Sequence, residues 1–198
     1  MSPSHYDRGR QQRQLRIIAV RWRGRRFRFP EGTIRPTPDR VRETLFNWLQ
    51  DHIEGAHCLD LYAGSGALGL EALSRGAASV VFVEQQRAAA MTLERLLMEW
   101  HALDAQVVCD EARHFLGKRA AQIRPRGFDL VFLDPPYSSG ELALAAQALG
   151  RTGLAPGARI YIECGPVPEV LPALPASWRE LRTGKAGEVR YHLFAAEQ

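Results

Sequence analysis

Apolar and polar residues change rhythm along this chain. In "LRIIAVRWRGRRFRFP", residues 15–30, apolar and aromatic side chains alternate with arginines. A period near two marks half-buried strands, so "RIIAVRW" and "RRFRF" predict a hairpin around Arg23 and Gly24. Phe27 and Phe29 would face one side, Arg26 and Arg28 the other. Residues 1–14 show no such pattern and are expected to be a disordered basic tail. "PEGTIRPTPD" reads as a turn-rich loop. In "DRVRETLFNWLQDH", Val41, Leu45, Trp48 and Leu49 recur at helical spacing, and Asp39 stands where it can cap the start.

From His57 the pattern becomes strand, loop, helix, repeated. "HCLDLY", "SVVFVE", "AQVVCD", "FDLVFLD" and "ARIYIEC" read as strands. "GALGLEALSRGA", "QRAAAMTLERLLMEWHAL", "EARHFLGKRA" and "SGELALAAQALG" read as the helices between them. Such alternation predicts an α/β fold, a parallel sheet with helices on both faces. "WRELRTGKAGEVRYHLFAA" instead predicts two strands joined by a turn at Gly184–Gly187, which makes the last strand antiparallel to its neighbour. The chain divides into a tail (1–14), a basic segment with its loop and helix (15–54) and an α/β body (55–198).

Length and composition fit that organisation. The chain has 198 residues, 45% hydrophobic and 24% charged, which suits one ordinary domain with a small extension. No apolar run is long enough to span a bilayer, and "MSPSHYDRGRQQRQ" has no apolar export segment. A cytoplasmic, monomeric protein is the expectation. Cys58, Cys109 and Cys164 form no CxxC pair and lie in or at the end of apolar runs, so buried free thiols are expected rather than metal ligands or disulfides. None of the six histidines sits at ligand or catalytic spacing, and no metal site is expected.

Charge changes the picture more. Residues 1–42 hold twelve arginines and three acids, so the net charge of +4 conceals a basic arm on an acidic body. Arg21, Arg23, Arg25, Arg26 and Arg28 interleave with aromatics, a pattern that suits contacts to the phosphates of a nucleic acid. Ordinary solvated surface is the plainer reading.

Two motifs carry the chemistry. In "LDLYAGSGALG", Gly64, Gly66 and Gly69 match GxGxxG after a strand and before a helix, where glycine permits a tight turn and close approach of backbone to a ligand. Tyr62 and Ser65 share the bend. Glu84 ends the next strand 20 residues on, with Gln85 beside it, as expected of an acid that binds ribose hydroxyls. Asp60 precedes the bend, and a carboxylate is poor company for a pyrophosphate. It suits a ligand with a cationic ammonium, such as S-adenosylmethionine, although Asp60 could instead cap the loop. Asp110 follows the third strand of the body, placed to accept from an adenine amino group with Glu111 or Ala112 beside the ring. Asp60, Glu84, Asp110 and Asp134 thus all stand at strand ends along one edge, where ligands of open α/β sheets bind.

The second motif is "DPPY", Asp134 to Tyr137. Pro135 and Pro136 fix φ and lack N–H groups, so the strand exit becomes a stiff rim of acceptors. That suits a planar amine. The Asp134 carboxylate and the Pro135 carbonyl could hold its two hydrogens, aiming the nitrogen lone pair at an activated methyl group by positioning alone. Tyr137 offers a ring for base stacking. A proline-rich strand exit without function is the alternative.

With both motifs read, the body resembles a class I S-adenosylmethionine-dependent methyltransferase of the amino-methylating type, whose mark is [DNS]PP[YFW]. "RPTPDRVRETLFNWL", "LDLYAGSGALGLEALSRGA", "FVEQ" and "FDLVFLDPPY", in that order, resemble the 16S ribosomal RNA (guanine(966)-N(2))-methyltransferase family from about residue 15 to the end. The resemblance implies a Rossmann-like, seven-stranded sheet and cofactor contacts at Asp60, Gly64, Gly66, Glu84 and Asp110. It implies amine-binding duties for Asp134 to Tyr137, and an "RPT" loop bordering the site, so that Arg35, Thr37 and Arg40 join the RNA-facing residues. It implies 16S ribosomal RNA, free or in an assembling small subunit, as partner. Tyr137 stands where relatives often carry Phe. A DNA adenine-N(6) methyltransferase would share "DPPY", but such enzymes usually carry a sizeable target-recognition region. A nicotinamide-dependent oxidoreductase would leave "DPPY" and the arm unexplained, and a non-catalytic RNA-binding scaffold that kept the fold would bind RNA without transferring a methyl group.

Overall fold

A computed structural model describes residues 12–30, 37–136, 140–165 and 174–197. The basic segment forms an antiparallel pair, β1 (Gln12–Arg16) and β2 (Arg26–Pro30), with Leu15 opposite Phe27. Phe27 and Phe29 are buried while Arg26 and Arg28 are exposed, as the alternation predicts. The first strand differs from expectation. It begins at Gln12, inside the segment read as a disordered tail, and ends at Arg16, while Val20–Trp22 form a 3-10 turn. The cause lies in the body. The Glu71 carboxylate accepts the main-chain N–H groups of Ile18 (2.9 Å) and Ala19 (3.1 Å), and Ser74 Oγ accepts that of Trp22 (3.0 Å). Donors that would extend the strand are diverted to a helix. Residues 1–11 of the tail lie outside the described residues.

Helix α1 (Asp39–Trp48) buries Val41, Leu45 and Phe46. Pro38 holds the capping position, and the Asp39 carboxylate pairs with Arg16 (2.8 Å) and Arg42 (2.6 Å) instead of capping. The body follows as β3 (His57–Leu61), α2 (Ala67–Ser74), β4 (Ser79–Val83), α3 (Arg87–Glu99), β5 (Ala105–Val108), α4 (Ala112–Lys118), α5 (Ala120–Ile123), β6 (Phe128–Leu133), α6 (Glu141–Thr152), β7 (Leu154–Cys164), β8 (Trp178–Ala186) and β9 (Val189–Ala196). The expected single helix "EARHFLGKRA" breaks at Arg119 into α4 and α5. The last turn falls at Gly187 and Glu188. Gly184 lies within β8, where an added methyl group would come within 2.3 Å of the Tyr191 ring.

Seven strands run in the order β5-β4-β3-β6-β7-β9-β8, parallel except for β9, which is antiparallel to both β7 and β8. The chain winds one way from β3 and the other way from β6, so the crevice between those two strand ends is where a ligand fits. Each face of the sheet carries its own apolar layer. One holds Cys58, Phe82, Phe132 and Tyr161 with α1, α2, α3 and the arm, and the other holds Leu59, Leu61, Val131 and Ile162 with α4 and α6. The arm is part of the first layer. Trp100 at the end of α3 meets Trp22 (ring centroids 5.2 Å apart) and Phe27 (5.8 Å, edge on). Beneath it Arg42, with a fully buried side chain, joins Asp39 to Glu71. Cys58 and Cys164 are buried, but Cys109 is exposed because it follows β5 at the outer edge of the sheet. No described helix is long and apolar enough to cross a membrane.

Candidate active site

The glycine bend follows β3. Gly64 (φ 54°) and Gly66 (φ 74°) adopt the left-handed conformation that glycine takes without steric cost. Gly69 is needed for a different reason. A methyl group there would meet the Phe82 ring at 2.2 Å, so its absence lets α2 lie close on β4. Tyr62 also has positive φ, 72°, an uncommon state for a residue with a side chain. Its hydroxyl donates to Glu141 at the start of α6 (3.3 Å). Burial and that carboxylate raise its pKa.

Acids line the same edge. Asp60 is 3% exposed, and its Oδ2 accepts the Gly69 N–H at 2.9 Å. Burial, opposed by that hydrogen bond and assisted by the charge of Glu84, pushes its pKa up to about 7. Glu84 accepts the N–H groups of Gly64 (2.8 Å) and Gln86 (2.6 Å), tying the bend to the end of β4. Asp110 ends the next strand over and accepts from Glu111 N (2.9 Å) and His114 Nδ1 (2.8 Å). Burial opposes its ionisation, but His114, the Glu111 N–H and Arg119 together hold its pKa below the usual carboxylate value. Gln85 and Glu111, which follow Glu84 and Asp110, are exposed, while Ser65 in the bend and Ala112 at the start of α4 are buried.

Asp134 directly follows β6, half-buried, with Pro135 buried and Pro136 exposed beside it. The parallel register places Phe132 opposite both Asp60 and Tyr161. Side chains two residues apart in a strand share a face. Asp60, Asp134 and Glu163 therefore converge on one face of the sheet, toward α1 and α2. Burial first, then the charges of Glu163 and Asp60, raise the Asp134 pKa well above the ordinary value. Tyr137 lies outside the described residues.

Glu163 is the participant that the sequence reading missed. It is 2% exposed, and its Oε1 accepts from the hydroxyls of Thr37 (2.6 Å) and Tyr161 (2.9 Å). The signal was present: "IYIEC" carries an acid near its end as the four other strands do, but this one sits inside an apolar run. Thr37, expected among the RNA-facing residues, is 4% exposed, because its hydroxyl is turned inward to Glu163. Arg21, Arg23, Arg25, Arg26, Arg28 and Arg40 are exposed, with Arg21 over Trp22 (5.0 Å) and Arg25 over Trp100 (5.5 Å). Arg35 lies outside the described residues. A shallow cleft is lined by Phe27, Arg28 and Phe29 of the arm, by Gly64 and Ser65 and by α3, so the arm borders the glycine bend. Among the described residues no group of acids, histidines and cysteines is arranged to hold a metal ion.

These groups fit a cationic nucleoside: a glycine bend, acids at successive strand ends and buried carboxylates on one face. Comparison with known proteins gives the same direction. A family model, Conserved hypothetical protein 95, matches residues 15–195. The chain is 44% identical to Ribosomal RNA small subunit methyltransferase D of Escherichia coli (strain K12) over 98% of this chain and 94% of that protein. It is 40% identical to the protein of that name from Haemophilus influenzae over 91% and 93%. The solved structure of yhhF from Escherichia coli superposes with a TM-score of 0.83 at 45% identity, covering 93% of this chain and 98% of that one. A Thermus thermophilus 16S rRNA N2 G1207 methyltransferase, solved with AdoMet and guanosine, has a TM-score of 0.67 at 25% identity over 95% of this chain and 50% of its own. With a matching model over nearly its whole length and full-length relatives of one name, the chain belongs to the ribosomal RNA small subunit methyltransferase D family.

Proposed function

We propose that this protein transfers a methyl group from S-adenosylmethionine to the exocyclic N2 amine of one guanine in 16S ribosomal RNA, during assembly of the small subunit in the cytoplasm, acting as a monomer. The observation that carries the reading is the meeting of Asp134 and Pro135 with the glycine bend at the switch point between β3 and β6. The donor supplies a methyl group on a positively charged sulfur, ready to be displaced. Asp60, Gly64, Gly66 and Glu84 would hold it, with Asp110, Glu111 and Ala112 at its base and Tyr62, Ser65 and Gln85 around the bend.

The chain's own task is to present the amine. Its nitrogen lone pair is delocalised into the guanine ring and is a poor nucleophile. The Asp134 carboxylate and the Pro135 carbonyl accept its two hydrogens, and the prolines offer no competing N–H. Fixed acceptors at the strand exit then do what positioning and oriented dipoles can do, without a covalent enzyme intermediate. Pro136 stiffens the rim and Tyr137 stacks on the base. Arg21, Arg23, Arg25, Arg26, Arg28, Arg35 and Arg40 contact phosphates, and Thr37 serves the site through Glu163 rather than through RNA.

Nucleoside mass mapping tests this. Small-subunit particles or free 16S ribosomal RNA from cells lacking the protein should gain one N2-methylguanosine on incubation with protein and donor. Transfer to adenine in duplex DNA, or none to ribosomal RNA, would overturn it.

A further inference from the structure

Glu163 stands beside the amine-binding corner but does not itself hold the amine. Leu133 of β6 pairs with Ile162 of β7, so the next residues, Asp134 and Glu163, lie side by side where the two strands end. Two hydroxyl donors, from Thr37 and Tyr161, converge on one Glu163 oxygen. Hydrogen bonds to a carboxylate favour its charged form, and a buried anion resists a second one next to it. Burial, with the charges of Glu163 and Asp60, favours the protonated form of Asp134. A protonated carboxyl is a poor partner for an amine that offers only hydrogens. A proton held on Asp134 would have to leave before its carboxylate could accept from the amine.

We propose that Glu163 is a positioning residue that sets the charge of Asp134: the pair holds a proton in the free protein, releases it when the cationic methyl donor binds, and regains one from the methylated amine. This rests on the assignment of Asp134 as amine acceptor. The step balances. Donor binding brings one positive charge to the corner, and the Asp134 proton leaves to water. On transfer the sulfur–methyl bond breaks with its electron pair left on sulfur, and the amine lone pair forms the new carbon–nitrogen bond. The nitrogen now carries the positive charge, and its proton passes to Asp134. The neutral thioether product then faces a corner with one negative charge fewer, which favours its departure. Among the described residues, the groups around the pair include Asp60 from β3, Tyr161 and Cys164 from β7, and Tyr191 from β9, with Arg190 acting on Cys164.

Calorimetry near neutral pH, in two buffers of different ionisation enthalpy, counts the protons released on binding. S-adenosylmethionine and S-adenosylhomocysteine share the ammonium, carboxylate and nucleoside and differ in the charge on sulfur. The wild-type protein should release more protons with S-adenosylmethionine, and Glu163→Gln should shrink that difference and move the acid limb of the single-turnover rate to lower pH. Equal proton release by the two ligands in the wild-type protein would overturn the proposal. So would a Glu163→Gln variant that slows transfer without moving the pH profile, since a merely structural role predicts that. The proton counts are taken without RNA, so their failure leaves Asp134 as amine acceptor standing. Failure of that assignment appears instead as unimpaired transfer by Asp134→Ala.

Discussion

The arm and the sheet edge carry opposite charges under opposite conditions. In the arm the arginines are exposed and the residues between them, Trp22, Phe27 and Phe29, are buried. At the edge the carboxylates themselves are buried: Asp60, Glu84 and Glu163 are 3%, 6% and 2% exposed. Exposed charge keeps its hydration, is screened by salt and acts mainly as a field on a polyanion. Buried charge is costly, so it is held by fixed donors or carries a proton. The first arrangement recruits a large substrate, and the second controls a small reacting centre.

The contrast breaks most completely where the two regions are joined. Glu71, with a fully buried side chain, receives Ile18 N, Ala19 N and Arg75 and lies 3.6 Å from the buried Arg42. Glu71→Ala leaves Arg42 without that partner and should destabilise the protein by about 3–5 kcal/mol in denaturant unfolding. It should also free the arm to hydrogen exchange.

A smaller effect, on binding alone, sharpens the contrast from the arm's side. Replacing Arg21, Arg23, Arg25, Arg26 and Arg28 by glutamine should weaken RNA binding and flatten its dependence on salt, by roughly 0.7–0.9 in logarithmic slope for each phosphate that is no longer neutralised. Affinity for S-adenosylmethionine should be unchanged. An unaltered salt slope would make the arm ordinary solvated surface.

The smallest effect is a pH dependence at the edge. Folding raises the Asp60 pKa from 3.8 to about 7, so the folded protein binds more protons than the unfolded chain between those values. The stability contribution of Asp60 is full below pH about 4 and is lost as pH rises through about 7. Asp60→Asn keeps an acceptor for Gly69 N–H without the charge. Its melting temperature should exceed that of the wild type by a few degrees at pH 8 and match it more closely at pH 5.

How far these regions are legible in the sequence follows the same division. The order of strands and helices in the body, the glycine bend and the acids at four strand ends all rest on short-range patterns, and these read directly. Phe27 and Phe29 announce their burial by alternation. The misreadings arise from contacts distant in sequence. The first strand stops at Arg16 because Glu71 and Ser74, more than fifty residues on, take the next donors. Thr37 turns inward because Glu163, 126 residues away, accepts its hydroxyl. Asp39 does not cap its helix because Arg16, 23 residues back, draws its carboxylate together with the nearby Arg42. Local periodicity carries no information about such partners.

Single-turnover transfer of a labelled methyl group to 16S ribosomal RNA by Asp134→Ala, measured beside its RNA affinity, tests the central claim most directly. A fixed acceptor at the reacting nitrogen predicts a loss of about 10²-fold or more in rate with RNA binding unchanged. Transfer at the wild-type rate would contradict it.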